Sequence, residues 1–150
     1  MKEFDEIIYD AIQADNTLME EIGGRVISTC FEVSPAEKDN TPLPNIIITD
    51  DGFQNTDSTK DSVWEGGRDG VQASVEIAGR SRNEVKKIVR MVRKAVQSHI
   101  ESMCEEGLET PWLQSLTSDG VAWDWMKPCY YQRISYNVTT PNTYNDEQEE

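Results

Sequence analysis

The chain's 150 residues are 37% hydrophobic and 28% charged, polar for one domain of ordinary length, and its four Trp, five Tyr and three Phe argue against wholesale disorder. A formal net charge of −14 and a pI near 4.4 give a surface that repels phosphate, which disfavours a generic DNA binder. No run of about 20 apolar residues exists to span a bilayer, and the start Met1-Lys2-Glu3-Phe4-Asp5-Glu6 has no apolar signal core, so a cytoplasmic chain is expected.

Phe4, Ile7, Ile8, Ala11 and Ile12 recur at helical spacing and predict an amphipathic helix whose other face carries Glu3, Asp5, Glu6, Asp10 and Asp15. Asn16-Thr17 breaks it, Leu18 to Ile22 offers another turn, and Gly23-Gly24 ends the helical region. Arg25 to Val33 reads as a strand. A polar loop, Ser34 to Thr41, then leads past Pro42 and Pro44 into Ile46-Ile47-Ile48, a β-branched run expected to form a central strand covered on both faces. Residues 51 to 69 are polar apart from Phe53, Val63 and Trp64. A loop this long is uncommon without a task, so it reads as a protruding hairpin or mobile arm between two strands. Val71, Ala73, Val75 and Ile77 alternate with polar residues and predict a strand with one wet face.

Ser81-Arg82-Asn83-Glu84 forms a capping box: the Ser81 hydroxyl is expected to accept from the Glu84 amide, and the Glu84 carboxylate from the Ser81 amide. The helix it opens runs to about Cys104 and stops near Gly107, with Val85, Ile88, Val89, Val92, Ala95, Val96, His99 and Met103 as its apolar face. Two strands follow, around Val121-Trp123-Trp125 and from Tyr130 to Val138, joined through Met126-Lys127-Pro128 as a hairpin. The end, Asn145 to Glu150, is acidic and without apolar content. The order helix, three strands, helix, two strands points to an α+β two-layer sandwich, with about five mainly antiparallel strands packed on two helices. Residues 1–139 form one domain, and 140–150 an acidic disordered tail.

Catalytic signatures are weak. Cys30, Cys104 and Cys129 show no CxxC spacing, so a structural zinc site lacks its paired ligands, and the thiols are expected to be inert. His99, the only histidine, falls in a core stripe without an evident acid or cysteine partner. Gly66-Gly67-Arg68-Asp69-Gly70 lacks the Lys-Ser/Thr and following helix of a phosphate loop. Asp50-Asp51 lacks a third ligand at set spacing. No catalytic, cofactor or metal residue is assigned. Trp112, Trp123, Trp125, Tyr130 and Tyr131 read as core and edge-strand packing rather than a pocket lining.

Charge is the most informative feature. Arg80, Arg82, Lys86, Lys87, Arg90, Arg93 and Lys94 crowd one window opposed only by Glu84. Subtracting that window from fourteen basic and twenty-eight acidic residues leaves seven and twenty-seven elsewhere. At about 100° per residue, Arg82, Lys86, Arg90 and Arg93 share one quadrant of the second helix, with Lys87 and Lys94 beside them, opposite the apolar stripe. Three uses compete: a solvated helix face, a nucleic-acid contact that lacks stacking aromatics, or a partner surface. A basic face on an acidic molecule is self-complementary head to tail, and such contacts close into rings. Asp5, Glu6 and Asp10 of the first helix are the candidate acidic counterpart.

The layout resembles the tail terminator, or tail-completion, proteins of long-tailed bacteriophages and prophages. The resemblance rests on the Phe4–Ile12 helix, Gly24-Arg25-Val26-Ile27 opening a strand and Leu43-Pro44-Asn45-Ile46-Ile47-Ile48. It continues through the Val71–Ile77 strand, the Arg/Lys-bearing helix and Arg133-Ile134-Ser135-Tyr136-Asn137-Val138, and so covers residues 4 to 138. Asn45 stands where that family usually has an aromatic, and the segment 105–128, with three Trp, is longer than its pattern. The resemblance implies a non-enzymatic structural protein of the virion tail, assembled in the host cytoplasm without a cofactor. It implies a homo-oligomeric, hexameric ring that caps the tail tube and meets the head connector. DNA would pass through the channel without specific binding, which an acidic lumen permits. Phe53 and Trp64 would then anchor the 51–69 arm on a neighbour or the tube. Another head-tail joining or neck role, or a nucleic-acid-binding or DNA-mimicking regulator, remains the alternative.

Overall fold

A computed structural model describes residues 2–29, 41–55 and 68–141. The expectations for Cys30, the 30–33 strand end, Trp64, the tip of the 51–69 arm and the chain beyond 141 lie outside these residues.

The first apolar stripe forms α1 (Phe4–Ala14), and Phe4, Ile7, Ile8, Ala11 and Ile12 are all buried. Asp15 ends it and caps a short α2 (Asn16–Glu21) by accepting from the Leu18 amide at 3.0 Å. Gly23 and Gly24, at φ +59° and +74°, supply the left-handed turn into β1 (Val26–Ser28). The long strands are β2 (Asn45–Gln54), β3 (Arg68–Gly79) and β6 (Cys129–Pro141). Between β3 and β6 come α3 (Arg82–Glu105), β4 (Trp112–Ser118) and β5 (Ala122–Asp124).

The sheet runs β1-β2-β3-β6-β4, with β5 also on β6. β1 lies parallel to β2, and the other pairs are antiparallel. Its spine is β3 against β6, in register from Arg68↔Pro141 to Gly79↔Tyr130. α1 and α3 pack together on one face of this sheet. Their stripes meet Ile46 and Ile48 of β2, Ala73, Val75 and Ile77 of β3, and Ile134, Tyr136 and Val138 of β6. Burying each such aliphatic side chain stabilises the fold by about 1.5–3 kcal/mol before entropy is counted. Ile47, on the opposite face, is buried as well, so the Ile46–Ile48 part of β2 is covered on both sides as the unbroken isoleucine run predicts, while the strand beyond it is largely exposed. None of the helices formed by the described residues is long and apolar enough to cross a membrane.

The α+β class is therefore observed, with three corrections in detail. β4 is a strand that sequence reasoning left unassigned. It is an edge strand, exposed along almost its whole length, and a bulge between Leu113 and Ser115 breaks its alternation. The second correction concerns β5, which stops at Asp124, so Trp125 and Met126 form the turn of the expected hairpin rather than a strand. Third, β6 continues to Pro141, so residues 140 and 141 belong to the sheet, not to the tail.

The cap of α3 also differs slightly. Ser81 Oγ accepts from the Glu84 amide at 3.1 Å as expected, but the Glu84 carboxylate accepts from the Arg80 amide at 2.9 Å, one residue earlier than the motif predicts. Arg80 and Arg25 converge on the Leu43 carbonyl, at 2.7 and 3.2 Å, and so fasten the entry to β2 to both ends of the helical layer. Asn45 donates to the Thr41 and Pro42 carbonyls across the same turn.

Candidate assembly interface

Helical geometry fixes which basic residues of α3 are available. Val85, Ile88, Val89, Val92, Ala95 and Val96 point into the core, so the residues between them point away from it. Arg82, Arg90, Arg93 and Lys94 are exposed, Lys86 is partly so, and none of the five makes a hydrogen bond or ion pair with a described residue. Arg80 and Lys87 from the same window are already engaged, Arg80 on Leu43 and Lys87 on Glu21 at 3.2 Å. Five cations thus line one helix of an acidic subunit without a counter-charge from the described residues.

Arg90, Arg93 and Lys94 also form the basic rim of a cleft of about 510 Å³ between α3 and the β4–β6 edge. Phe4, Val96, Ile100, Leu113, Leu116 and Val138 make its walls apolar. Tyr136 lies at its floor, 5% exposed, edge-on to Phe4 with ring centroids 5.7 Å apart. The Tyr136 hydroxyl is buried without a hydrogen-bond partner. That burial pushes its pKa up to about 12, and the nearby Arg93 pulls weakly the other way. Sequence reasoning missed this cleft because half of it is made by β4 and the Pro111 approach to it.

The expected acidic counterpart on α1 does not survive folding as a unit. Asp5 is 4% exposed, and its carboxylate accepts from the Thr29 hydroxyl at 3.3 Å and the Glu6 amide at 3.0 Å. It is a buried structural acid, not a docking charge. Glu6 and Asp10 are partly exposed, and Asp10 is tied to Lys2 at 2.8 Å. Position explains this: the apolar stripe includes Phe4 and Ile8, and Asp5 on its border turns toward the β1 end rather than to water.

Phe53 lies on β2, exposed to solvent. β2 and β3 stay paired out to Phe53↔Val71 and Gln54↔Gly70, so residues 51–54 and 68–69 belong to strands and not to the arm expected over 51–69, and Phe53 is 69% exposed on β2. Asn55 ties the two strands by donating to the Arg68 carbonyl and the Asp69 carboxylate, at 2.9 and 2.8 Å. Further apolar exposure lies at Trp112 and Leu113 on β4, with Arg68 stacked over Trp112 at 5.0 Å, and at the β5–β6 turn. At that turn Trp123 packs edge-on to Tyr130 and Trp125, while Trp125 itself is 85% exposed. The described tryptophans, Trp112, Trp123 and Trp125, are edge and surface groups, and none of the three lines the cleft described above.

Catalytic groupings do not assemble among the described residues. His99 is half-buried at the fringe of the helix stripe, outside the core it was expected to join, and bonds to no cysteine or carboxylate. Cys129 is buried, and burial, with Asp124 beside it, pushes its thiol pKa up, which suppresses the reactive thiolate. Cys104 is exposed, with its sulfur 3.5 Å from the Thr110 hydroxyl. The fold does supply Asp50 with acidic neighbours that its sequence context lacks: Glu3, Asp5 and Asp50 bring ligand atoms within 4.8 Å of one another. Asp5 is already bonded to Thr29, and Asp50 accepts from the Gly52 amide at 2.8 Å. Asp51 turns away to Arg133 at 3.0 Å, so no metal role is assigned to the group.

No known family signature matches the chain, and no curated protein matches it by sequence. Among solved structures, the chain is similar to the gp17 protein of bacteriophage SPP1, at 19% identity and a TM-score of 0.51, over 91% of this chain and 88% of that one. A chain of the virion of a native gene transfer agent particle aligns at 13% identity and a TM-score of 0.49, over 93% of this chain and 95% of that one. The first likeness shows that the α+β fold described above is one that a phage protein also adopts across nearly its whole length.

Proposed function

We propose that this chain is a structural subunit of a phage or prophage virion, a tail terminator that forms a hexameric ring at the end of the tail tube and presents a surface to the head connector. The single observation that carries the reading is the cation row Arg82, Lys86, Arg90, Arg93 and Lys94, paired with none of the described residues, on an otherwise acidic subunit. Such a surface favours head-to-tail contact with another copy and disfavours same-face contact. The shared fold with the phage gp17 protein supports the same direction. The exposed hairpin-base Phe53 is a second contact, for the neighbouring subunit or the tube protein. DNA passes through the negatively charged lumen without being gripped. The role needs no catalytic group and no cofactor.

Tube assembly tests it. Purified tail tube protein polymerised with this chain should give tubes capped at one end by a ring, visible by electron microscopy, and further growth at that end should stop. Uncapped tubes of unchanged length at saturating amounts of this chain would refute termination. Capped tubes that keep growing from the capped end would move the chain to another neck role.

A further inference from the structure

The acidic counterpart that the α3 cations do not find on α1 lies at the other end of α3 itself. Glu105 ends the helix, Glu106 caps it, and Glu109 follows directly after Leu108; all three glutamates are exposed, and their carboxylates bond to no described residue. The turn that carries them is fixed by its backbone. Gly107, at φ +76°, donates to the Cys104 carbonyl at 3.0 Å and Leu108 to the Met103 carbonyl at 2.9 Å, the paired bonds that close a helix through a left-handed residue. Leu108 is thereby held 53% exposed between the carboxylates, an apolar tip on an acidic knob. This charge order works against the helix it sits on. Arg82 stands in the first turn and Glu105 in the last, where the macrodipole favours the opposite signs, and only Glu84 follows it. Nor do the two ends pair within one chain: Lys94 and Glu105 are eleven residues apart, about 16 Å along the axis and roughly two Debye lengths at physiological salt.

We propose that the acidic turn 105–109 of one copy docks on the cation row of a second copy, with its Leu108 in the apolar mouth of the cleft beside Arg90, Arg93 and Lys94. The inference rests on the ring reading above and supplies the partner surface for it. The two sides match in kind. The turn offers three carboxylates around one aliphatic side chain, and the cleft offers three cations beside walls of Val96, Ile100, Leu113 and Leu116. Docking takes from water the apolar surface that Leu108 exposes in the single subunit. The surrounding charges fix the register and repel a copy presented basic face to basic face. The turn lies at the end of α3 and the row along its side. A contact of end with side leaves the second copy's own turn free for a third copy, so the contact runs one way and repeats until it closes.

Exchange of charge in the full-length chain tests it, read by native mass spectrometry with and without tail tube protein. A face variant carries Arg90→Glu, Arg93→Glu and Lys94→Glu; a turn variant carries Glu105→Lys, Glu106→Lys and Glu109→Lys. All of these side chains are exposed, so both variants should keep the melting temperature of the single subunit. Each variant alone should lose the closed oligomer, because its face and its turn then carry the same sign. An equal mixture should regain it, as a ring in which the two variants alternate in equal number. Leu108→Ser should weaken assembly several-fold without changing its dependence on salt. A turn variant that assembles like wild type overturns the proposal, as does a mixture that stays monomeric or an assembly unmoved by Leu108→Ser. A mixture that stops at one copy of each variant overturns it too, since that marks a two-fold contact. In these cases a wild-type ring leaves the ring reading standing, whereas a wild-type chain that stays monomeric even with tube protein overturns both.

Discussion

Tyr136 makes the folded chain sensitive to alkaline pH by an amount that its environment fixes. A tyrosine hydroxyl in the unfolded chain ionises near pH 10, and burial beneath the α3 cleft pushes that of Tyr136 up to about 12. The sign follows from proton counting. Above pH 10 the unfolded chain releases this proton while the folded chain keeps it, so stability falls as pH rises. The contribution is intact below about pH 10 and disappears as pH climbs through 10 toward 12. At about 1.4 kcal/mol per unit, a shift of about two units amounts to roughly 2–3 kcal/mol in full, and to about 1.4 kcal/mol by pH 11. Arg93 moderates the shift. Urea unfolding of the wild-type chain and of Tyr136→Phe between pH 8 and 11 isolates the effect, because the other tyrosines and the lysines are common to both. The wild type should lose stability faster than the variant above pH 10, and its last tyrosine to ionise by near-ultraviolet absorbance should vanish in Tyr136→Phe. Parallel stability curves across that range would refute the placement of this hydroxyl in a closed apolar site.

Two further outcomes follow from the same geometry. Arg90→Glu with Arg93→Glu should leave monomer stability within about 1 kcal/mol of wild type, while Val92→Asp, which buries a carboxylate in the core, should cost at least about 3 kcal/mol and lower Tm by roughly 6–12 °C; equal melting losses would mean α3 is rotated from the orientation described. Gly79→Ala places a Cβ 2.9 Å from Val85 Cγ2 and 3.0 Å from the Glu84 carboxylate that caps the Arg80 amide, so thermal unfolding should drop by about 1–2 kcal/mol, and an unchanged Tm would contradict that packing.

Much of the fold is legible in the sequence wherever one face is buried and the other wet. The α1 stripe, the β3 alternation and the Ser81 cap of α3 each state their own period or motif, and each forms with nearly the expected bounds. β4 is illegible for the converse reason: an exposed edge strand with a bulge at Leu113/Ser115 carries no two-residue period. Asp5 shows the limit of helical-wheel reasoning. At the border of an apolar stripe, exposure depends on what lies beside the helix, here Thr29 after β1, and the wheel holds no information about that neighbour. The outward face of α3 is correctly placed because six core aliphatics fix its rotation, whereas the cleft depends on β4 and on the β6 end, which meet α3 only in the folded chain.

The claim underlying all of this is that the subunit acts by assembling through an unbalanced charge distribution. Native mass spectrometry of the full chain across a range of ionic strengths measures it most directly, with and without tail tube protein. The account predicts a discrete closed oligomer that weakens as salt screens the α3 contacts and is lost in Arg90→Glu with Arg93→Glu. A monomer at every ionic strength, with no mass gained when tube protein is added, would contradict it.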